Sequence, residues 1–406
     1  MALPTGLRAL HHPDFRRFFV AQLVAQTGTW MQTVAQAWLV LQITPSPFKL
    51  GLIGTLQFAP ILLFSLVTGA LADRLPKRRV LLFTQTALAG QALGLAALVA
   101  SGRVEYWHVA VLAFGTGLAN VIDQPARQSL VAEIVGRVDV GSAVSLNSAS
   151  FNAARIVGPS VGGLVIAGAG VVPAFLLNAL GFAISISILL TLETHGRPRS
   201  RPGRVRDDIR TGLHYAFRRP EIVLTLALLF AVALCVFNFT VYVPLVARTV
   251  LDVGAQGFGF LMAALGVGAV SGALAVGALG PRHPPRSLMF GAAAIACTAL
   301  VALSAVRTFW AAAVVLFVMG LFGLVLVASC NTTMQLAAPD ELRGRLMSLY
   351  TLIWGGTFPI GAFIVGSVSE QWGVGRALLV NGALGLCGVT VLLVWWQSMR
   401  RHARSR

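Results

Sequence analysis

The chain contains twelve long apolar stretches, separated by short segments rich in Gly, Pro and charged residues. A helix that crosses the hydrocarbon core of a bilayer needs about 20 mostly apolar residues. Only 11% of the 406 residues are charged, whereas soluble domains carry about 25%. We therefore predict an all-α membrane protein with twelve transmembrane helices. The predicted spans, numbered 1 to 12, are 15–43, 49–72, 80–101, 108–126, 143–168, 171–192, 221–247, 256–279, 287–305, 309–335, 346–368 and 373–396.

Positive charge is distributed unevenly between the two sides that these spans define. The chain has 31 Lys and Arg against 14 Asp and Glu, for a net charge of +17. If both termini are cytoplasmic, 25 of the 31 cations lie on the cytoplasmic side, five lie outside, and Arg155 lies within the membrane. This asymmetry is typical of a correctly threaded membrane protein. The asymmetry therefore explains the basic composition by the lipid bilayer as a partner. We expect no nucleic-acid partner.

The residues that carry enzymatic or cofactor chemistry show no useful spacing. The four Cys lie unpaired in apolar stretches, and none of the seven His has a second ligand nearby. No nucleophile and base form a visible pair. We expect no catalytic residues, no metal and no cofactor. The first apolar segment is too long for a cleavable signal peptide, so we expect it to remain as span 1.

A basic segment in the middle of the chain divides the spans into two sets of six. In it, Ile209, Leu213 and Phe217 recur at helical spacing beside charged residues, which predicts a short amphipathic helix on the cytoplasmic leaflet. A solvated linker is the alternative for the first part of the segment. The predicted domains are a six-helix bundle at 1–192, a cytoplasmic loop at 193–220, and a second six-helix bundle with a basic cytoplasmic tail at 221–406.

The two halves resemble each other in sequence. The stretch around Asn178 in span 6 matches the stretch around Asn381 in span 12, 203 residues later. Pro159 in span 5 likewise corresponds to Pro359 in span 11, and small residues follow both. Matches in two corresponding spans indicate a duplicated six-helix unit, in which transport sites lie between the repeats near the bilayer midplane.

Span 1 carries a polar stripe along one face, with spacings of 4, 3, 4 and 3 residues. An unsatisfied amide or hydroxyl that faced lipid would cost on the order of a few kcal/mol, so the stripe should face water or other helices. We favour a cavity lining, and hydrogen bonding between helices is the alternative. The stripe consists of Gln22, Gln26, Thr29, Thr33 and Gln36.

Span 5 places a cation near the middle of the bilayer. Ser148, Asn152 and Arg155 lie on one face of it, and a midplane cation costs roughly 2.5 to 3.5 kcal/mol unless it is compensated. Arg155 therefore either contacts a substrate or clamps backbone carbonyls and Asn side chains within the protein. Together with Asn152 and Arg155, the further candidates for a substrate cavity are Asn238, Tyr242, Asn331, Gln335 and Trp354.

Acidic groups are missing from the middle of the predicted spans. Proton-coupled transporters usually hold a titratable group in the cavity. Asp123 lies near the cytoplasmic end of span 4, and Asp73 lies at the boundary of span 2. The residues alone therefore give proton coupling little support.

Two motifs resemble those of a known family. Gly69-Ala-Leu-Ala-Asp-Arg-Leu-Pro-Lys-Arg-Arg-Val-Leu81 closely resembles motif A of the major facilitator superfamily, between spans 2 and 3. Gly158-Pro-Ser-Val-Gly-Gly163 is similar to the core of motif C, which marks the antiporter-type exporters of that superfamily. Further segments resemble the bacterial subfamily that includes enterobactin exporters and macrolide-efflux proteins: 14–17, 29–40, 124–128 and 344–350.

The resemblance implies roles for individual residues. Asp73 would lie against the N-terminus of the span 11 helix, where the helix dipole favours an acid. Lys77 would be the basic residue of motif A and would pair with Asp123. Two departures from the motif are Pro76 in place of Gly and Lys77 in place of Arg, which loses bidentate pairing. The implied gating residues are Gly69, Asp73, Arg74, Lys77, Arg78 and Asp123, and the implied packing and hinge residues are Gly158, Pro159, Gly162 and Gly163.

The second half of the chain lacks the acid of motif A. Its equivalent segment, Gly277-Ala-Leu-Gly-Pro-Arg-His283, contains neither Asp nor Glu. We therefore expect an asymmetric latch in which Asp73 carries the interaction.

The resemblance implies an exporter of amphipathic or hydrophobic small molecules, such as drugs or siderophores, in the bacterial inner membrane. Its mechanism would be alternating access with proton antiport, and its partners would be a small-molecule substrate, protons and the lipid bilayer. We expect a monomer. An uncoupled or anion-selective carrier that uses Arg155 is the first alternative. A membrane scaffold that has lost transport is the second, and the intact motif A and the long polar stripe argue against it.

Overall fold

The computed structural model describes residues 5–192, 213–278, 284–337, 339 and 342–404. Within these ranges the chain is helical and contains no strand, which confirms the predicted fold class. A 3-10 helix at Thr5–His11 precedes the first long helix. The helices are α1 (Pro13–Ile43), α2 (Pro47–Arg74), α3 (Lys77–Ala100), α4 (Tyr106–Ala169), α5 (Val171–Thr191), α6 (Pro220–Val236), α7 (Phe239–Leu245), α8 (Ala255–Ala278), α9 (Arg286–Ala305), α10 (Phe309–Ala337), α11 (Arg343–Trp372) and α12 (Val374–Arg404).

The part of the chain that the structure describes contains ten helical segments that are long and apolar enough to cross a membrane. Predicted spans 1 and 4 are helical as well, in α1 and in the first half of α4, but their composition does not qualify them by itself. In α1 the reason is the polar stripe of Gln and Thr. The predicted amphipathic helix is described only from Leu213, and residues 213–217 are helical. Ile209 lies outside the described residues.

Predicted spans 4 and 5 lie in two helical parts of α4 that follow each other directly across a non-helical kink. At Gly136 the backbone has φ 69° and ψ 174°, a conformation that favours glycine because it has no Cβ. Pro125 and Pro159 lie inside the helical parts on either side. The kink allows two spans to follow each other with almost no loop.

Predicted span 7 is broken at Phe237 and Asn238 into α6 and α7. The side-chain amide of Asn238 donates to the Leu234 carbonyl oxygen over 2.8 Å, and the Tyr242 hydroxyl donates to the Val236 carbonyl oxygen over 2.8 Å. Both side chains are buried. They satisfy carbonyl groups that the break leaves without a helical partner, as a membrane interior requires.

The chain divides into two compact units. Unit 1 comprises Met1–Pro45, Ala59–Pro202 and Gly254–Ala263. Unit 2 comprises Ser46–Phe58, Gly203–Val253 and Ala264–Arg406. In unit 1, α1 packs against α4 and α5, and α3 packs against the same two helices. In unit 2, α9 packs against α10 and α12, and α6 contacts α9, α10, α11 and α12. The division at 193–220 made from the sequence stays a prediction.

Candidate gating and transport residues

Asp123 forms a buried ion pair inside unit 1. Its side chain is 2% exposed, and one carboxylate oxygen accepts a hydrogen bond from the Thr84 hydroxyl over 2.8 Å. The other oxygen pairs with the Arg127 guanidinium, one helical turn later. Arg127 lies just beyond predicted span 4, and burial lowers the pKa of its side chain to about 10. Arg127 is therefore still a cation at neutral pH.

The basic residues of the motif A segment lie at helix ends. Lys77 is buried at the first residue of α3, and its ammonium donates to the Leu75 carbonyl oxygen over 3.1 Å. The Arg78 guanidinium donates to the carbonyl oxygens of Leu189 and Leu190 at the end of α5. These carbonyls have no partner within their own helix, so Arg78 completes the last turn of α5.

The acidic part of motif A is described only in its backbone. Gly69, Asp73 and Arg74 belong to the last turns of α2, and the side chains of Asp73 and Arg74 lie outside the described part of the chain. The contact of Asp73 with the helix of span 11 and the pairing of Lys77 with Asp123 stay predictions. Arg127, which the sequence did not single out as a partner, pairs with Asp123 in the structure. Its spacing of four residues along one helix was the available signal.

The polar stripe of α1 divides into two kinds of residue. The hydroxyls of Thr29 and Thr33 donate to the carbonyl oxygens four residues earlier, each over 2.9 Å. Gln22 and Gln36 are buried. The buried side-chain oxygens of Gln22 and Gln26 and the amide nitrogen of Gln22 have no hydrogen-bond partner among the described residues. Burying such a group costs about 1 to 3 kcal/mol, which water in a cavity would offset.

A buried chain of amides links three helices of unit 1. The Asn178 amide in α5 donates to the Gln32 oxygen in α1 over 2.6 Å, and the Gln32 amide donates to the Gln91 oxygen in α3 over 2.7 Å. Gly28 makes room for it, since a Cβ there would lie 2.7 Å from the Asn178 side-chain oxygen. The sequence identified Asn178 as a repeat marker but missed Gln32 and Gln91. The available signal was that each is an amide side chain in an apolar span, where it must find a hydrogen-bond partner.

Arg155 is buried in the second half of α4. Its side chain is part of unit 1, and its guanidinium lies over the Trp30 ring of α1, 5.9 Å from the centroid. A cation over an aromatic face gains about 0.5 to 2 kcal/mol. This contact compensates part of the cost of a cation at that depth. The side chain of Asn152, one turn earlier, lies outside the described part of the chain.

The remaining cavity candidates belong to unit 2. Trp354 in α11 packs edge-on against Phe237 and Phe358, with ring centroids 4.6 and 5.6 Å apart. The side-chain amides of Asn331 and Gln335, one turn apart on α10, are hydrogen-bonded to each other. Gln335 is exposed and Asn331 is half-buried, whereas Asn238 and Tyr242 are buried at the helix break. A substrate-binding role for these residues stays a prediction.

The glycines of the motif C segment allow close contact with α1. A Cβ at Gly158 would lie 2.6 Å from the Trp30 Cβ and 2.7 Å from the Thr27 carbonyl oxygen. A Cβ at Gly162 would lie 3.0 Å from the Met31 side chain. Any larger residue at Gly158 would push the two helices apart. The packing and hinge roles that the resemblance implied for these positions stay predictions.

Each unit contains a crossing in which two glycines face each other. In unit 1, a Cβ at Gly163 would lie 2.8 Å from the Cα of Gly259 in α8. In unit 2, a Cβ at Gly366 in α11 would lie 2.9 Å from the Cα of Gly51 in α2. Gly163 lies in span 5, and Gly366 lies in the corresponding span 11 of the second half. The duplication seen in the sequence is therefore repeated in the helix contacts.

The first turns of α2 also contact α11 at polar groups, within unit 2. One carboxylate oxygen of Glu370 accepts hydrogen bonds from the Ser46 hydroxyl over 2.8 Å and from the Phe48 backbone N–H over 3.0 Å. Two to three turns along α2, the Thr55 hydroxyl donates to the Pro359 carbonyl oxygen over 3.0 Å. An acid that accepts from the first turn of a helix stabilises that end of the helix.

The duplicated helical architecture and the motif A segment define a multi-pass membrane transporter. Residues 4–403 match the family model MFS_3, which is described as transmembrane secretion effector. The chain belongs to this family of the major facilitator superfamily. It is therefore a transporter and not an enzyme.

Characterised relatives cover almost the whole chain. It is 28% identical to the multidrug efflux pump Tap of Mycolicibacterium fortuitum, over 88% of this chain and 90% of the pump. It is 26% identical to the enterobactin exporter EntS of Salmonella typhi, over 94% and 92%. It is 23% identical to the staphyloferrin A transporter of Staphylococcus aureus, over 91% and 93%.

Solved structures show the same fold. The nucleoside transporter NupG superposes with a TM-score of 0.76 at 11% identity, over 94% of this chain and 99% of NupG. A bacterial homologue of the human lysosomal transporter Spinster superposes with a TM-score of 0.73 at 12% identity, over 97% and 96%. At this identity the likeness concerns the fold alone.

Proposed function

We propose that this protein exports amphipathic small molecules, of the drug or siderophore class, across the bacterial inner membrane. The observation that carries the proposal is the crossing of Gly158, Gly162 and Gly163 with α1 and α8, at the segment that resembles the exporter motif. The relatives named above support the same class of substrate, and the efflux pump and the enterobactin exporter among them support the same direction. Both termini are cytoplasmic in this proposal, and the protein acts as a monomer.

The proposed mechanism is alternating access. The contacts of Gly163 with Gly259 and of Gly51 with Gly366 join helices that belong to different sequence repeats. Glycine surfaces have no interlocking side chains, so such contacts can separate and form again with little rearrangement. The transport cycle breaks and remakes these crossings as the two repeats move. In the opposite phase of the cycle, the asymmetric motif A latch, carried by Asp73, holds the two repeats together.

Proton antiport drives the export in this proposal. Asp73 and Asp123 are the two acids of the motif A region, and the structure places Asp123 in an ion pair with Arg127. Protonation of Asp123 would remove its charge and leave Arg127 without its counter-ion. The packing of the helices around this ion pair would then be less stable. Protons therefore control the gate and do not enter the substrate cavity.

An anion-selective carrier without proton coupling is the second candidate. The observation that favours it is Arg155, a buried cation in a membrane-spanning part of α4. Such a residue marks a ligand pathway by default, because its desolvation must be compensated. The contact of Arg155 with Trp30 supports the alternative interpretation, in which Arg155 is an internal clamp and does not contact the substrate.

Accumulation in living cells tests the export proposal. We expect cells that express the protein, in a host lacking its main efflux pumps, to accumulate less of at least one compound among a cationic dye, a macrolide and a catecholate siderophore. The Gly158→Leu variant, adjusted to the same amount in the membrane, should restore accumulation because it separates α4 from α1. Equal accumulation of every compound with and without the protein contradicts export of this class.

A further inference from the structure

A cavity with a volume of about 370 Å³ lies inside unit 2, between α6, α9 and α10. This volume is in the range of small-molecule sites. Its walls are mostly apolar and include Leu224 and Leu228 of α6 and Met289 and Phe290 of α9. The cavity lies where α6 and α9 begin and α10 ends, which is the cytoplasmic end in the predicted topology. None of the residues assigned to gating or transport lines it.

The polar groups in the cavity wall already have partners. The Thr225 hydroxyl donates to the Glu221 carbonyl oxygen over 2.7 Å, and the Thr333 hydroxyl donates to the Ser329 carbonyl oxygen over 2.8 Å. Neither hydroxyl needs a polar ligand for its proton. An apolar guest such as a hydrocarbon chain therefore fits the interior better than water does.

Charged and aromatic side chains surround the entrance. A guanidinium nitrogen of Arg286 lies 3.5 Å from a Glu221 carboxylate oxygen, and both side chains are partly exposed. The same guanidinium lies over the Trp396 ring, 4.1 Å from its centroid. Arg219 lies over the Tyr215 ring at 4.9 Å, and the Tyr215 hydroxyl donates over 3.4 Å to the carbonyl oxygen of Ala337, a residue of the cavity wall. Arginines combined with Trp and Tyr are typical of the level of the lipid headgroups.

We propose that this cavity binds an anionic phospholipid of the adjacent leaflet, with the phosphate at Arg286 and one acyl chain between α6, α9 and α10. The charges favour this occupant, since Arg286 in the cavity wall and Arg219 beside it outnumber Glu221 among the described residues there. The contact of 3.5 Å between Arg286 and Glu221 is longer than a charge-assisted hydrogen bond of about 2.8 Å. A phosphate can therefore take the better geometry with the arginine. Basic pockets between membrane helices on the cytoplasmic side bind such headgroups.

A lipid in this place would act as a ligand of the folded protein. It would join three helices of unit 2 that meet at an end of the bundle where the interior is not filled by side chains. Because it binds the folded state and not the unfolded one, it raises the unfolding temperature as its concentration rises. The proposal does not depend on the substrate or on the direction of transport.

The test uses the purified full chain, delipidated in a neutral detergent, and three soluble probes. Dihexanoylphosphatidylglycerol carries both the tails and the anionic headgroup, dihexanoylphosphatidylcholine carries the same tails with no net charge, and glycerol phosphate carries the headgroup alone. Binding is measured by native mass spectrometry and by the shift in unfolding temperature. We expect the phosphatidylglycerol to bind at least tenfold more tightly than either of the other probes.

Two variants separate the headgroup from the tail. Arg286→Gln should weaken binding of the phosphatidylglycerol at least tenfold, and Leu228→Trp should do the same by filling the cavity. Arg307→Gln is the matched control, since Arg307 is an exposed arginine of unit 2 that lies beyond the other end of α9 and donates to the carbonyl oxygens of Ser304 and Val306. Equal binding of both lipids, equal binding of glycerol phosphate, or unchanged binding in both variants overturns the proposal. Each variant is compared with its own lipid-free unfolding temperature, so a loss of stability does not count as a loss of binding.

Discussion

Replacing Gly163 with leucine is expected to reduce transport strongly while the protein remains in the membrane. A Cβ at this position would lie 2.8 Å from the Cα of Gly259 and 2.9 Å from the Ala255 carbonyl oxygen. Both are backbone atoms, so α4 and α8 must move apart to accept even the first carbon. Overpacking of this kind costs about 1 to 3 kcal/mol. If transport requires this crossing to form, efflux should fall by a factor of about 5 to 140, because every 1.4 kcal/mol corresponds to a factor of ten.

The same helix supplies the control for this variant. Gly168 lies five residues further along α4 and has no atom within 4 Å of the position of a Cβ. Gly168→Leu adds the same side chain and should leave efflux within about twofold of the wild-type protein. Gly366→Leu should reproduce the loss seen with Gly163→Leu, because Gly366 makes the corresponding contact with Gly51. Efflux by Gly163→Leu at the level of Gly168→Leu would show that the crossing does not matter to the cycle.

Replacing Asp123 with asparagine is expected to destabilise the protein by about 3 kcal/mol. Asparagine has the same shape and can keep the hydrogen bond from Thr84, but it leaves the Arg127 guanidinium without its counter-ion. Breaking a buried ion pair by removing one partner costs roughly 3 to 5 kcal/mol. The lower end applies here because the Arg127 side chain is 22% exposed and therefore partly solvated. Thermal unfolding of the purified protein measures the effect.

A double-mutant cycle assigns the loss to the pair. Asp123→Asn combined with Arg127→Gln should be more stable than Asp123→Asn alone, since the double variant contains no unpaired buried charge. Glu221→Gln is the control, because Glu221 and Arg286 form a partly exposed ion pair worth at most about 1 kcal/mol. Strictly additive effects at Asp123 and Arg127 would mean that the pair contributes nothing to stability.

The sequence predicted which residues share a helix face, but not which groups they contact. Periodicity placed Gln22, Thr29 and Thr33 in one stripe of α1, yet the two hydroxyls bond to carbonyls of their own helix and the Gln22 amide does not. The partner of Gln32 lies 59 residues away in α3, and no local spacing links the two. Contacts between distant segments depend on how the helices pack, which is decided by the whole bundle.

The glycines show the same limit. The resemblance to motif C predicted close packing at Gly158, Gly162 and Gly163, and the structure identifies α1 and α8 as their neighbours. Small residues are frequent throughout these helices, so Gly259 did not stand out before its partner was known.

The break at Asn238 was missed for another reason. Neither Gly nor Pro marks it, and an Asn side chain that bonds to a nearby carbonyl can interrupt a helix by itself.

Proton-coupled export is tested most directly in everted membrane vesicles that contain the protein and are energised to an acidic interior. Collapse of the pH gradient is followed as cationic, neutral and anionic amphiphiles are added to vesicles with the wild-type protein, Asp73→Asn or Arg155→Ala. We predict that at least one compound dissipates the gradient with the wild-type protein and not with Asp73→Asn. A change of charge preference in Arg155→Ala would place Arg155 at the substrate. If no compound dissipates the gradient while labelled anionic substrates still cross, proton-coupled export is contradicted and the uncoupled anion carrier takes its place.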